Sequence, residues 1–230
     1  MSSTPLDLSK PSRTIKVGVL LMGGETEILD VGAVDMLHGL SKSFYKGWDD
    51  KFIDPKLKEQ AIDFTFHWVN EKGTPAKLTG GITLIPTHDF SNAPALDIAI
   101  MGAHDITYQP SETELAYVRK AYEDSVAFIA ICGGIQTPLL AGLFKGKSAT
   151  GPRAMLAMAK QMGPDTQWEE KRWHRDGKLW TSGALINGLD LMSAFVREYW
   201  GGEGSLAEWV LALTHCPSRD VYYADAPTKL

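Results

Sequence analysis

Two cysteines in 230 residues, Cys132 and Cys216, are too few to build a disulfide framework. Neither belongs to a CxxC pair or to a Cys/His cluster with zinc spacing, so the sequence calls for no metal and no cofactor. Long apolar runs are missing too: nothing approaches the ~20 residues needed to cross a bilayer. The first fourteen residues, rich in Ser, Thr, Pro and Lys, lack the continuous apolar stretch of a secretory signal. Positive charge is also scarce. Lys and Arg number 23 against 28 Asp and Glu, a net charge of -5, and no basic run concentrates them. Nucleic acid is excluded as an expected partner by that balance, and a membrane by the missing span. The expectation is a cytoplasmic protein with reduced thiols that meets a small-molecule substrate.

What is present is a core. With 44% hydrophobic and 22% charged residues, the chain can bury one α/β domain over residues 15–230, preceded by a flexible arm over 1–14. Ile15 to Met22 is nearly continuous in apolar residues after Lys16, as a parallel strand covered on both faces requires. Gly23 and Gly24 turn the chain, and Ile28 to Leu40 has broadly helical apolar spacing. The polar stretch 41–60, broken by Gly and Pro, reads as an irregular insertion. Phe64–Asn70, Leu96–Gly102 and Val126–Ile131 read as strands, with a small strand excursion over Leu78–Pro86. Ser111 with Glu114 forms a capping box that opens a helix to about Asp124. Helices are expected from the Gly133-Gly134 turn to Leu143, after Pro152, and over Leu189–Trp200 and Ser205–Leu213. Arg172–Arg175 and Leu179–Ser182 flank an Asp176-Gly177 turn as a strand pair. This alternation predicts a flavodoxin-like, doubly wound, mostly parallel sheet with helices on both faces.

Ligands of such sheets bind outside the carboxyl ends of the strands, and Cys132 falls at that edge, on a strand-turn-helix elbow. A thiol at a helix N-terminus is expected to ionise more easily than a free one; the alternative is an inert, buried cysteine. Asp30, in the apolar stretch ILDVGAV, reads either as a protonated partner of a thiolate or as a helix cap. Glu25 and Glu27 are its rivals. The backbone of Gly102, Ala103 and Gly133 is placed to form an anion hole. His104 is either a general base or a loop residue, and with Gly134 and Gly151 it is a candidate for lining a substrate pocket. His174 lies in an HRD triplet without kinase context, an accidental match, and His215-Cys216 reads as structural. Tryptophans 168, 173, 180, 200 and 209 read as packing anchors.

The segments VGVLLMGGETEILDVGAVDML, LDIAIMGAHD, AFIAICGGIQTPLLAGLFKGKSAT and RDGKLWTSGALINGLDL together resemble the ThiJ/PfpI superfamily over residues 15–200. LDVGAV and RDGKLWTSG…NGLDL are most similar to its isonitrile hydratase-like branch. The resemblance implies Cys132 as nucleophile, Asp30 as acidic partner, Gly102 and Gly133 as oxyanion donors, and a homodimer. Three departures narrow it. Met101-Gly102-Ala103 stands where many members have Pro-Gly-Gly. Gly133 replaces the His that follows the cysteine in protease-type members. SATG, ending in Gly151, lacks the His of many relatives. Glutamine amidotransferase chemistry lacks its late His and Glu pair. The activity implied is cysteine-dependent, cofactor-independent hydration of an isonitrile to an N-substituted formamide. A glyoxalase-like or deglycase activity on 2-oxoaldehydes, and redox sensing through oxidation of Cys132, are the alternatives.

Overall fold

The computed structural model describes residues 6–216 and 218–226. The strands are β1 (Ile15–Leu20), β2 (Phe64–Asn70), β3 (Ala76–Leu78), β4 (Ile82–Leu84), β5 (His88–Asp89), β6 (Ile98–Met101), β7 (Ala127–Ala130), β8 (Ser148–Ala149), β9 (Gln167–Trp168), β10 (Trp173–Asp176) and β11 (Leu179–Ser182). The helices are α1 (Ile28–Gly32), α2 (Asp35–His38), α3 (Pro55–Lys58), α4 (Glu112–Asp124), α5 (Gln136–Leu140), α6 (Leu156–Met162), α7 (Ile186–Trp200) and α8 (Leu206–Leu213). Seven strands form the main sheet in the order β10-β11-β7-β6-β1-β2-β5, parallel except for the β10–β11 pair. This is the expected doubly wound arrangement.

β6 and β7 are wholly apolar, and β1 is so after Lys16, because each face of these strands meets its own core. Ala127 and Ile129 of β7 join Val17, Val19 and Ile98 against Leu191, Phe195 and Val210 of α7 and α8. Phe128 and Ala130 point the other way, with Ala99 and Met101, into Val118 and Ala121 of α4 and into Phe144. The alternation within a four-residue strand thereby feeds two layers. Trp180 is buried and stacks on Trp173, as anchors should. β3 and β4 form the small excursion, turning through Gly80 and Gly81 at positive φ.

Three expectations need correction. Residues 6–14 are docked rather than flexible. Leu8 is buried in the core, its carbonyl accepts from the Trp200 indole at 2.7 Å, and Arg13 grips Asp97 at 2.6 and 2.7 Å. Residues 1–5 of the expected arm lie outside the described residues. The helix expected over 28–40 is two short ones. Val34, Met36 and Leu37 bond three residues back, and this tightening breaks the α-helical ladder. The helix after the elbow is a four-residue 3₁₀ turn, Cys132–Ile135, followed by α5, and the chain leaves it at Gly142, φ 80°. The 41–60 insertion is irregular as expected, yet Tyr45 and Ile53 are buried.

Candidate functional site

β1, β6, β7 and β11 all end at one edge of the sheet, and the loops that follow them converge there. Cys132 follows β7 with φ 58°, a left-handed conformation that L-residues seldom adopt without support. That support is close packing. A Cβ on Gly134 would lie 2.5 Å from the Met101 carbonyl oxygen, so only glycine lets the elbow fold down onto the end of β6. Asp30 comes from α1 and is fully buried. It does not cap its own helix. Its Oδ2 accepts the Ala103 N–H at 2.9 Å across the β6 loop, and its Oδ1 has no hydrogen-bond partner.

Burial pushes the Asp30 carboxyl up to about 7, and the charge of Glu27 adds to the rise; the Ala103 N–H and the Cys132 thiol act against it. The thiol is also raised, to about 11, first by burial and then by the charge of Asp30, against hydrogen bonds from the backbone of Leu185 and Gly133. The expectation of an easily ionised thiol is therefore corrected. A single 3₁₀ turn and a five-residue helix offer little macrodipole, and burial outweighs it. The two shifts are coupled, because the penalty that Asp30 imposes on Cys132 vanishes once Asp30 holds a proton. At neutral pH the thiol keeps its proton while the Asp30 carboxyl, near its midpoint, is present in both forms, so a carboxylate able to accept the thiol proton stands beside the sulfur.

The remaining expected residues sort by geometry. The Ala103 N–H is occupied by Asp30, so it does not serve as an oxyanion donor. Gly102 packs under Asp30, where a Cβ would come within 2.8 Å of the Asp30 Cβ. The Gly133 backbone faces the sulfur. Gly134 and Gly151 are close-packing positions rather than pocket lining; a Cβ on Gly151 would meet Ile135 at 2.5 Å. His104 is buried with both ring nitrogens engaged, Nε2 with Thr137 Oγ1 at 2.7 Å and Nδ1 with the Asp105 carbonyl at 3.1 Å. Burial lowers its pKa, so it is a neutral, structural histidine. Beside Ala103 and His104 opens a cleft of about 370 Å³ walled by Glu25, Glu27, Thr79 and Asp105. Of the rivals to Asp30, Glu25 is exposed and Glu27 accepts from Thr79 Oγ1 at 3.0 Å.

Leu185, which the sequence did not single out, completes the site. It precedes α7 with φ 44° and ψ -100°, and its backbone favours the ionised form of Cys132. Ala184, Leu185 and Ile186 are three consecutive exposed apolar residues at a helix start, the one local oddity that marks the place. Among the described residues, no group of His, Cys, Asp and Glu is arranged to hold a metal ion, and no helix is long and apolar enough to cross a membrane.

The DJ-1/PfpI family model matches residues 55–198, more than half of the chain. The chain belongs to the DJ-1/PfpI family. The match includes Cys132 and Leu185 but begins after Asp30, whose place in the site rests on the contacts above. An isonitrile hydratase from Pseudomonas putida is 28% identical over 141 residues, which cover 60% of this chain and 61% of that protein, less than two thirds of its length. The fold is similar to a ThiJ/PfpI family protein from Pseudomonas syringae, with a TM-score of 0.69 at 17% identity over 93% of this chain and 80% of that one. It is also similar to Drosophila melanogaster DJ-1beta, with a TM-score of 0.63 at 15% identity over 90% of this chain and all of the other.

Proposed function

We propose that this DJ-1/PfpI protein is an enzyme that hydrates a small, uncharged electrophile, an isonitrile, to an N-substituted formamide. The observation that carries this reading is the buried pair of Cys132 and Asp30, in which a carboxyl that titrates at about 7 stands beside a protonated thiol and can take up and return its proton at neutral pH. Asp30 accepts the thiol proton as the sulfur attacks the terminal isonitrile carbon, and the same proton is delivered to that carbon, giving a thioimidate. Water then adds to the carbon, with one of its protons passing to nitrogen. Collapse of the adduct releases the formamide and restores the pair. The N–H groups of Leu185 and Gly133 stabilise the sulfur while it carries charge.

Two features support the choice of substrate. Glu25, Glu27 and Asp105 make the adjoining cleft negative, which disfavours anionic substrates and leaves neutral ones unaffected. His104, with both nitrogens engaged, is not available as the base that a 2-oxoaldehyde mechanism requires. The distant likeness to the P. putida isonitrile hydratase points the same way. The test is turnover of isonitriles beside methylglyoxal by wild type and Cys132→Ser. Formamide production by wild type alone, with methylglyoxal untouched, is the expected result. Equal turnover by Cys132→Ser, or turnover of methylglyoxal alone, overturns the proposal.

A further inference from the structure

A non-glycine residue with φ 44° and ψ -100° is strained and persists only where its surroundings hold it. For Leu185 the holding groups come from the far end of the chain. The Gly183 N–H, two residues before Leu185, donates to the Arg172 carbonyl at 2.9 Å, and the Arg172 N–H donates to the Val221 carbonyl at 2.8 Å. The Arg172 guanidinium is buried and reaches along the same segment. It donates to the carbonyls of Asp220 and Tyr222 at 2.6 and 2.7 Å and to the Asp225 carboxylate at 2.5 Å. Removing the segment would strand a buried cation, so the segment stays docked.

On the other side of the turn, the Tyr223 hydroxyl donates to Asn187 Oδ1 at 2.9 Å, and Asn187 Nδ2 donates to Asp190 Oδ2 at 3.0 Å. Arg219 closes the network on Asp190 at 2.5 and 3.0 Å. Asn187 and Gly188 define the turn itself, since their N–H groups donate to the carbonyls of Ala184 and Leu185 at 3.0 and 2.8 Å. There is no slack: a Cβ on Gly183 would lie 2.4 Å from the Tyr223 hydroxyl and 2.6 Å from Asn187 Oδ1.

We propose that Arg219–Asp225 is a strap that aims the Leu185 N–H at Cys132, and that Tyr223 is its positioning residue, touching Asn187 and Gly183 rather than the substrate. The inference rests on reading Cys132 as the reactive thiol. Loss of the Tyr223 hydroxyl frees Asn187, relaxes the turn and withdraws a donor from the sulfur. The thiolate fraction at a given pH then falls.

The test is the rate of iodoacetamide alkylation of the Cys132 peptide, followed by mass spectrometry from pH 6 to 10, with circular dichroism and melting curves alongside. Tyr223→Phe is expected to slow Cys132 by about threefold to tenfold below the midpoint of the profile, the effect of losing one hydrogen bond to the charged form. Cys216 serves as the internal reference and keeps its rate. Arg219→Met should move the profile in the same direction and Arg219→Lys should keep it as in wild type. Arg219 is part-exposed, so these variants carry the test if Tyr223→Phe fails to fold. Wild-type profiles for both Tyr223→Phe and Arg219→Met overturn the proposal. Alkylation needs no turnover, so an isonitrile hydratase reading that fails with Cys132→Ser leaves this result readable.

Discussion

Two strained turns meet at the carboxyl edge of the sheet, and they are held in different ways. The elbow at Cys132, φ 58°, owes its fit to its own neighbours in sequence: Gly133 and Gly134 follow it, and the missing side chain of Gly134 lets it seat directly on the adjacent strand end of β6. The turn at Leu185, φ 44°, contains no glycine at the strained position, and its support arrives from Arg172 and from residues 219–225. The first turn is marked in its own stretch of sequence by the glycines that let it pack; the second depends on hydrogen bonds from distant residues. A site can thus draw one half of its geometry from local chain chemistry and the other from a segment some 40 residues away in sequence.

If the elbow is the chemical half of the site and the Leu185 turn only presents a donor, then altering the partner of the elbow must have the larger effect. Asp30→Asn keeps the size of the side chain but cannot exchange the proton, and turnover should fall by about 10²–10⁴-fold. A stability measurement sharpens this. The folded carboxyl holds its proton up to about pH 7 while the unfolded one releases it near 3.8, so the native state binds more protons between those values. Wild-type stability relative to Asp30→Asn is therefore greatest below pH 3.8, declines as pH rises towards 7, and is flat above. Each pKa unit is worth about 1.4 kcal/mol, which makes the whole change on the order of a few kcal/mol. Urea titrations of both proteins at pH 4, 6 and 8 read it. An unchanged difference across that range would place the carboxyl charge elsewhere.

How much was legible follows the same division. The doubly wound sheet could be read from the apolar runs of β1, β6 and β7, because strands covered on both faces have no polar alternation to hide them. Cys132 was marked by the two glycines after its strand, and Asp30 by its place in an apolar stretch. The ionisation of the thiol could not be read, since it depends on burial and on a carboxyl 102 positions away in the chain, neither of which is local. For His104 the sequence left base and loop residue both open, and only the contacts with Thr137 and Asp105, which occupy both ring nitrogens, decide between them. Leu185 left almost no mark, because nothing about a leucine indicates positive φ. The docked residues 6–14 were missed for a similar reason: a polar stretch with one buried leucine, Leu8, looks solvated until its neighbours are known.

The middle-sized test compares the rigidity of the two supports. At Gly134 an added methyl meets backbone, the Met101 carbonyl oxygen at 2.5 Å, and cannot be accommodated without moving β6 or the elbow. At Gly188, in the first turn of α7, it meets a side chain, Ile131 Cγ2 at 2.8 Å, a methyl on the branched Cβ of a buried residue that yields with difficulty but more readily than a backbone carbonyl, and alanine gains about 1 kcal/mol of helix propensity. Gly134→Ala should lose about 2–3 kcal/mol, in the range of overpacked cores, and Gly188→Ala about 1 kcal/mol or less. Equal losses in chemical denaturation would mean that the elbow is no stiffer than the turn opposite it.

The smallest effect is expected at Leu185, and its sign is what matters. Replacing a buried leucine in a helix core with glycine costs several kcal/mol, but Leu185 is 38% exposed and sits where glycine is the better backbone. Leu185→Gly relieves about 1–3 kcal/mol of strain and gives back about 0.5–1 kcal/mol through the freer unfolded chain, with a further small loss of side-chain contact. The variant should be as stable as wild type or slightly more so, within about 1 kcal/mol in a thermal melt. Its N–H remains, and with the strap intact it still points at the sulfur, so Cys132 alkylation should keep its wild-type pH profile. Destabilisation beyond about 1 kcal/mol would show that the leucine side chain, and not the strap, holds the turn. The contrast between a locally supported elbow and a remotely supported turn would then collapse.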